Sequence, residues 1–155
     1  MVKVEGILEK LQNAIENRLL SLNELRNVPI LTHKQSDLSS VIESGARSGI
    51  GTMIFLMPPV PGYVQQHIAG PVFDSATIEV KIVENIAANA TERTLLFLAE
   101  AVMRHLHMWA PNAMDENYRL KLAAGPDCCR VTCDDGINSF SMRFTIPCHL
   151  KATTA

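Results

Sequence analysis

The chain has 155 residues, 47% of them hydrophobic and 19% charged, with a net charge of -2. A polypeptide of this length removes roughly two thirds of its unfolded surface from water, enough for a core without metal or disulfide staples. Near-neutral charge without a basic run excludes the electrostatic footprint of direct nucleic-acid binding, and the glutamates of the opening MVKVEGILEK interrupt the apolar run of a signal peptide.

The expectation is one domain over residues 1–150, with a disordered tail over 151–155. Ile7, Leu8, Leu11, Ile15, Leu19 and Leu22 recur at three- and four-residue steps, which predicts an amphipathic helix with one buried stripe. Glu5 and Glu9 suit its positive end and Arg18 its negative end. Val28-Pro29-Ile30-Leu31 reads as a short extended segment, because the residue before proline is pushed from helical angles. Ser36 or Asp37 then caps a short helix carrying Leu38, Val41 and Ile42, ended by Gly45.

Ser48 to Phe73 contains no Asp, Glu, Lys or Arg. Pro58, Pro59, Pro61, Gly62 and Gly70 interrupt this stretch, so it cannot be a continuous membrane-spanning helix. Its first part, GTMIFLMP, predicts a strand buried on both faces; its second, PVPGYVQQHIAGPVF, predicts a projecting loop or hairpin. SATIEVKIVEN alternates, with Ile78, Val80 and Ile82 on one face and Thr77, Glu79 and Lys81 on the other. Thr91 is the expected cap of a long helix from Glu92 to about Trp109, with Leu95, Leu98, Ala99, Val102, Met103 and Leu106 on its stripe. YRLKL, CCRVTC and SFSMRFTIP then form a small antiparallel meander, with a hairpin signal at Asp134-Asp135-Gly136. The fold class is α+β: an antiparallel or mixed sheet, the long helix on one face, and an N-terminal helix.

Candidates for chemistry are few. His105 and His107 in RHLHMWAP stand two positions apart, so on a helix they point away from each other, whereas a metal pair wants a spacing of four. The stretch reads as a helix end, with Pro111 stopping it. Cys128, Cys129, Cys133 and Cys148 form no CxxC pair, and Cys129 and Cys133 lie about 13 Å apart along a strand, too far for one tetrahedral site or one bridge. They read as thiols in a reducing cytoplasm. Gly45 to Gly51 precedes a strand and lacks the lysine of a phosphate loop. No catalytic, cofactor-binding or metal residue is assigned. The alternative reading is a small cytoplasmic adaptor, or an enzyme using His67, His105, His107 or the cysteines.

The order of elements from Val4 to Ile146, with the L-H-x-W-x-P ending at Leu106 to Pro111, resembles the tail terminator and tail completion proteins of phages, including small virion proteins of Mu-like prophages. That resemblance implies an α+β fold, no catalytic residues, and assembly as a homo-oligomeric ring, often a hexamer, at the head-proximal end of the tail tube. It also implies a virion location after assembly in the bacterial host cytoplasm, with the tail tube and head-completion proteins as partners and neither nucleic acid nor membrane bound directly. The uncharged segment then supplies the contact with a neighbouring subunit or the tube, through Pro59, Pro61, Tyr63, Val64, Ile68 and Val72. The slightly positive mean hydropathy is in keeping with apolar surface at interfaces.

Overall fold

The computed structural model describes residues 6–34, 51–62, 64–67, 70–111, 118–126 and 128–151. In chain order these form α1 (Ile7–Leu20), a 3-10 turn (Asn23–Leu25), β1 (Ile30–Thr32), β2 (Thr52–Leu56), β3 (Val60–Pro61), β4 (Val64–His67), β5 (Gly70–Asn85), α2 (Leu95–Leu106), β6 (Lys121–Leu122), β7 (Cys129–Asp134) and β8 (Ile137–Lys151). The fold is α+β, with a mixed sheet.

The sheet is organised around β5 and β8, which run antiparallel from Val72 opposite Lys151 to Asn85 opposite Ile137. Along the free edge of β5, β2, β3 and β4 follow one another as a single interrupted antiparallel partner, and His67 meets Gly70 at the far end. β1 adds in parallel outside β2. On the other edge of β8 lie β6, opposite Phe144 and Thr145, and β7, opposite Ile137 to Met142.

Side chains alternate across this sheet. Ala76, Ile78, Val80 and Ile82 of β5, Met142, Phe144, Ile146 and Cys148 of β8, and Ile54 and Leu56 of β2 share one buried face. Leu11, Ile15 and Leu19 of α1 and Leu98, Ala99, Val102 and Leu106 of α2 belong to the same core. Burying each large aliphatic side chain contributes about 1.5–3 kcal/mol. Among the buried polar groups, the Gln12 amide donates to His33 Nδ1 at 3.2 Å and to the Leu56 carbonyl at 3.5 Å, which ties α1 to the end of β2.

Several boundaries differ from the sequence reading. Thr94, not Thr91, caps α2, its hydroxyl accepting from the Phe97 N–H at 3.3 Å; Thr91 instead closes a turn with Asn89. α2 then ends at Leu106, three residues before the expected Trp109. His107 is extended, Met108 is left-handed at φ 65°, and the Met108 N–H donates to the Leu120 carbonyl at 2.6 Å. The incoming β6 segment captures the backbone, so Pro111 is not what stops the helix.

β2 is buried on one face only, since Met53 and Phe55 are half-buried. β5 begins at Gly70, inside what read as turn chemistry. The last three strands are no sequential meander, because β6 and β7 both flank β8 on the same side. Lys151, the first residue of the expected tail, belongs to β8 opposite Val72. The expected helix after Ser36 lies outside the described residues, as do 152–155.

Two glycines hold tight places. Gly136, at φ 79° after Asp135 at φ 46°, completes the two-residue β7–β8 turn, whose geometry needs two positive φ angles. At Gly51, φ 64°, an added Cβ meets the Asn89 backbone nitrogen at 2.4 Å, whereas at Gly125, φ 101°, it meets nothing within 4 Å. Gly125→Ala is therefore expected to cost only the strain of its backbone angle, about 1 kcal/mol. Gly51→Ala carries the same strain plus a backbone clash, and is expected to cost roughly 1–3 kcal/mol more in a denaturant titration. Equal losses would show that the Ala88-Asn89 turn yields freely.

Candidate interaction surface

Strand β5 is longer than either described helix. Sixteen residues of β5 span roughly 50 Å, whereas the fourteen residues of α1 and twelve of α2 span about 21 and 18 Å. Each described helix is thus shorter than half of β5, and the buried alternation on β5 runs from Ala76 to Glu84. Beyond Ala76, β5 continues as the inner strand of an arm, with β4 on one edge and the end of β8 on the other.

The interface residues expected from sequence map to this arm or its base. Pro59 and Pro61 are half-buried where β3 meets Ala76 and Thr77. Val64 lies in β4 opposite Phe73, and Val72 in β5 opposite Gln65. Tyr63 and Ile68 lie outside the described residues. Of the expected loop or hairpin, the structure has the hairpin, β4 against the start of β5; sequence reading missed that β2, β3 and β4 follow one another along the same edge of β5.

A second surface was not foreseen. On the sheet face away from the helices, Glu79, Lys81, Cys128, Arg130, Thr132, Ser139, Ser141 and Arg143 line a shallow depression of about 430 Å³. Register places them in rows, with Glu79 beside Arg143, and Lys81, Ser141 and Arg130 side by side. Thr132 and Ser139 share a hydroxyl–hydroxyl hydrogen bond. Three cations stand against one carboxylate, and no imidazole lies among the lining residues to activate a serine. The arrangement can hold an acidic group by charge and hydroxyl contacts. Alternating polar residues on two strands were the signal for it, but only the pairing register joins them.

The histidines have separate partners. His105 Nε2 lies 3.1 Å from Glu24 Oε1 in the 3-10 turn, a partner 81 positions away that no local pattern announces. His107 Nδ1 accepts from the Leu122 N–H at 3.1 Å, so it ties the end of α2 to β6. His67 lies in β4. Arg18 stacks over Trp109, 5.4 Å from the ring centroid, and locks α1 to the segment after α2. Among the described residues no group of three His, Cys, Asp or Glu side chains could hold a metal ion, and no helix is long and apolar enough to cross a membrane.

The cysteines spread from core to surface: Cys148 is buried, Cys128 and Cys129 half-buried, and Cys133 exposed. Burial, with Asp74 nearby, pushes the Cys148 thiol up, and burial beside Cys128 does the same at Cys129. No protein-family model matches the chain, and no curated protein matches it.

Two measurements check this geometry. Iodoacetamide followed by peptide mass mapping is expected to label Cys133 first and Cys148 only on unfolding, because a buried, protonated thiol is neither reachable nor nucleophilic. Glu24 is held below its ordinary value of 4.5 by its own backbone N–H and by His105, which both favour the carboxylate. A depressed carboxyl contributes stability above its unfolded pKa and loses it as pH falls through the folded one. The difference in Tm between the parent chain and Glu24→Gln is therefore expected to persist above pH 4.5 and fade at more acid pH. A difference unchanged down to full protonation would dismiss the pair.

Proposed function

We propose that this chain is a non-enzymatic virion protein of a phage, a tail terminator or tail completion component. It assembles as a ring of copies, six in the form the resemblance favours, at the head-proximal end of the tail tube. The observation that carries this reading is the arm. Here β4, the start of β5 and the end of β8 pair as a three-stranded ribbon, and the sequence from Ser48 to Phe73 lacks any charged side chain. A projection with so long an uncharged segment suits a contact with another surface.

Ring closure needs one patch to meet a different patch on the next copy. The arm is the first patch, with Pro59, Pro61, Tyr63, Val64, Ile68 and Val72 as its contact residues. The cationic sheet face is suited to be the second or to seat a neighbouring head or tail protein. The α+β layout, in which α2 and the longer N-terminal α1 both contribute to the core against the sheet, is in keeping with the tail-terminator-like arrangement. Localisation follows as the virion, after assembly in the host cytoplasm.

Light scattering on the purified chain tests this. A hexamer of the 17.1 kDa chain has a mass of about 100 kDa. Changing Tyr63, Val64 and Ile68 together to serine is expected to abolish the ring and lower the mass to two copies or fewer. An unchanged mass removes the arm as the contact, and a parent chain that stays monomeric both alone and with purified tails removes the ring.

A further inference from the structure

Strand β7 pairs with β8 along one edge, and among the described residues no second strand pairs with its other edge. The ladder fixes which backbone groups face outward. The Arg143 N–H donates to the Cys128 carbonyl at 3.0 Å, so Cys128 and Arg143 are a hydrogen-bonded pair. Antiparallel ladders alternate, so Arg130, Thr132 and Asp134 also bond to β8. Cys129, Val131 and Cys133 therefore turn their N–H and C=O groups away from the sheet, three donors and three acceptors in a row.

The side chains leave this edge open. Every residue of β7 from Arg130 to Asp134 is exposed, and Val131 and Ile137 are each 52% exposed. Proline and lysine, two common blockers of a sheet edge, are absent from β7.

We propose that the outer edge of β7 is a two-fold contact between copies of this chain, with two β7 strands pairing antiparallel about Val131. Centring on Val131 is the register that uses all six outward groups of each strand. Val131 then faces its counterpart and Cys129 faces the partner's Cys133 on both sides of the axis. On the other face Arg130 gains the partner's Asp134 as a diagonal neighbour at about 7–8 Å, twice per pair, against a single like-charge diagonal between the two Arg130 residues. Neither Arg130 nor Asp134 has an ion-pair partner among the described residues. Two copies so joined share one continuous sheet, and their cationic faces lie side by side. The contact is isologous, so it differs from the ring contact and does not rest on the phage reading.

The native thiols report the register. Hydrogen-bonded pairs hold Cα atoms about 5.5 Å apart, within the range a disulfide spans. Diamide, a two-electron thiol oxidant that takes up the two electrons and two protons each bridge releases, is applied to the whole chain, followed by non-reducing peptide mapping. The expected product is a covalent dimer linked Cys129 to Cys133 across copies, from a protein that light scattering finds to be at least dimeric before oxidation.

Val131→Pro removes an outward N–H without touching the β7–β8 ladder, and is expected to cut bridge yield on dilution at least about tenfold, with circular dichroism confirming the fold. Asp134→Lys is expected to cut it on the order of tenfold, and Arg130→Asp with Asp134→Lys to restore it. The serine variants of the arm leave this bridge intact. A monomer without the Cys129–Cys133 link, bridges through other cysteines at equal yield, or failure of the charge exchange to restore it would each overturn the proposal.

Discussion

The antiparallel pairing of β5 with β8 is the constraint on which the molecule depends. Its register, Ala76 to Ile146, Ile78 to Phe144, Val80 to Met142 and Ile82 to Phe140, puts one apolar stripe from each strand on the same side. That shared stripe gives α1 and α2 a surface to cover. The same register puts Glu79 beside Arg143 and Lys81 beside Ser141 on the other side, so core and polar face are two consequences of one alignment. A slip of one residue would exchange every side chain between them, and the number of apolar contacts at stake makes such a slip prohibitive.

α2 is short because its end is claimed by another part of the chain. α2 ends where Met108 turns into a left-handed angle and its N–H meets the Leu120 carbonyl; His107 then fastens β6 through the Leu122 N–H. The histidine-rich stretch thus serves as a joint between helix and sheet, and Arg18 over Trp109 brings the first helix to the same joint. Glu24 below His105 adds a third tie at that end of the helical layer. His105 and His107 thus each tie the end of α2 to a distant segment, one through Glu24 and the other through the Leu122 N–H.

Local periodicity made the regular elements legible. The three- and four-residue spacing of Leu11, Ile15 and Leu19 is α1, the alternation of Ile78, Val80 and Ile82 is the middle of β5, and Asp135-Gly136 is the β7–β8 turn. What stayed hidden depends on distant partners. Gly70 and Pro71 carry turn chemistry and yet enter β5 because β4 folds back on them. β8 lies between β5 and β7, an order that no local signal carries. The cationic face needs residues from β5, β7 and β8 in register, and Arg130 two residues from Thr132 reads on its own as an ordinary solvated strand.

The separation of β5 from β8 along the chain also shapes how the protein is made. Paired residues stand from about fifty positions apart, between Asn85 and Ile137, to about eighty, between Val72 and Lys151. A ribosome therefore releases β5 long before its inner neighbour exists, and until then the growing polypeptide carries an apolar stripe with an unsatisfied flank. Contacts this remote close slowly, so the nascent protein passes through a sticky interval in which the exposed stripe and open strand edge invite aggregation.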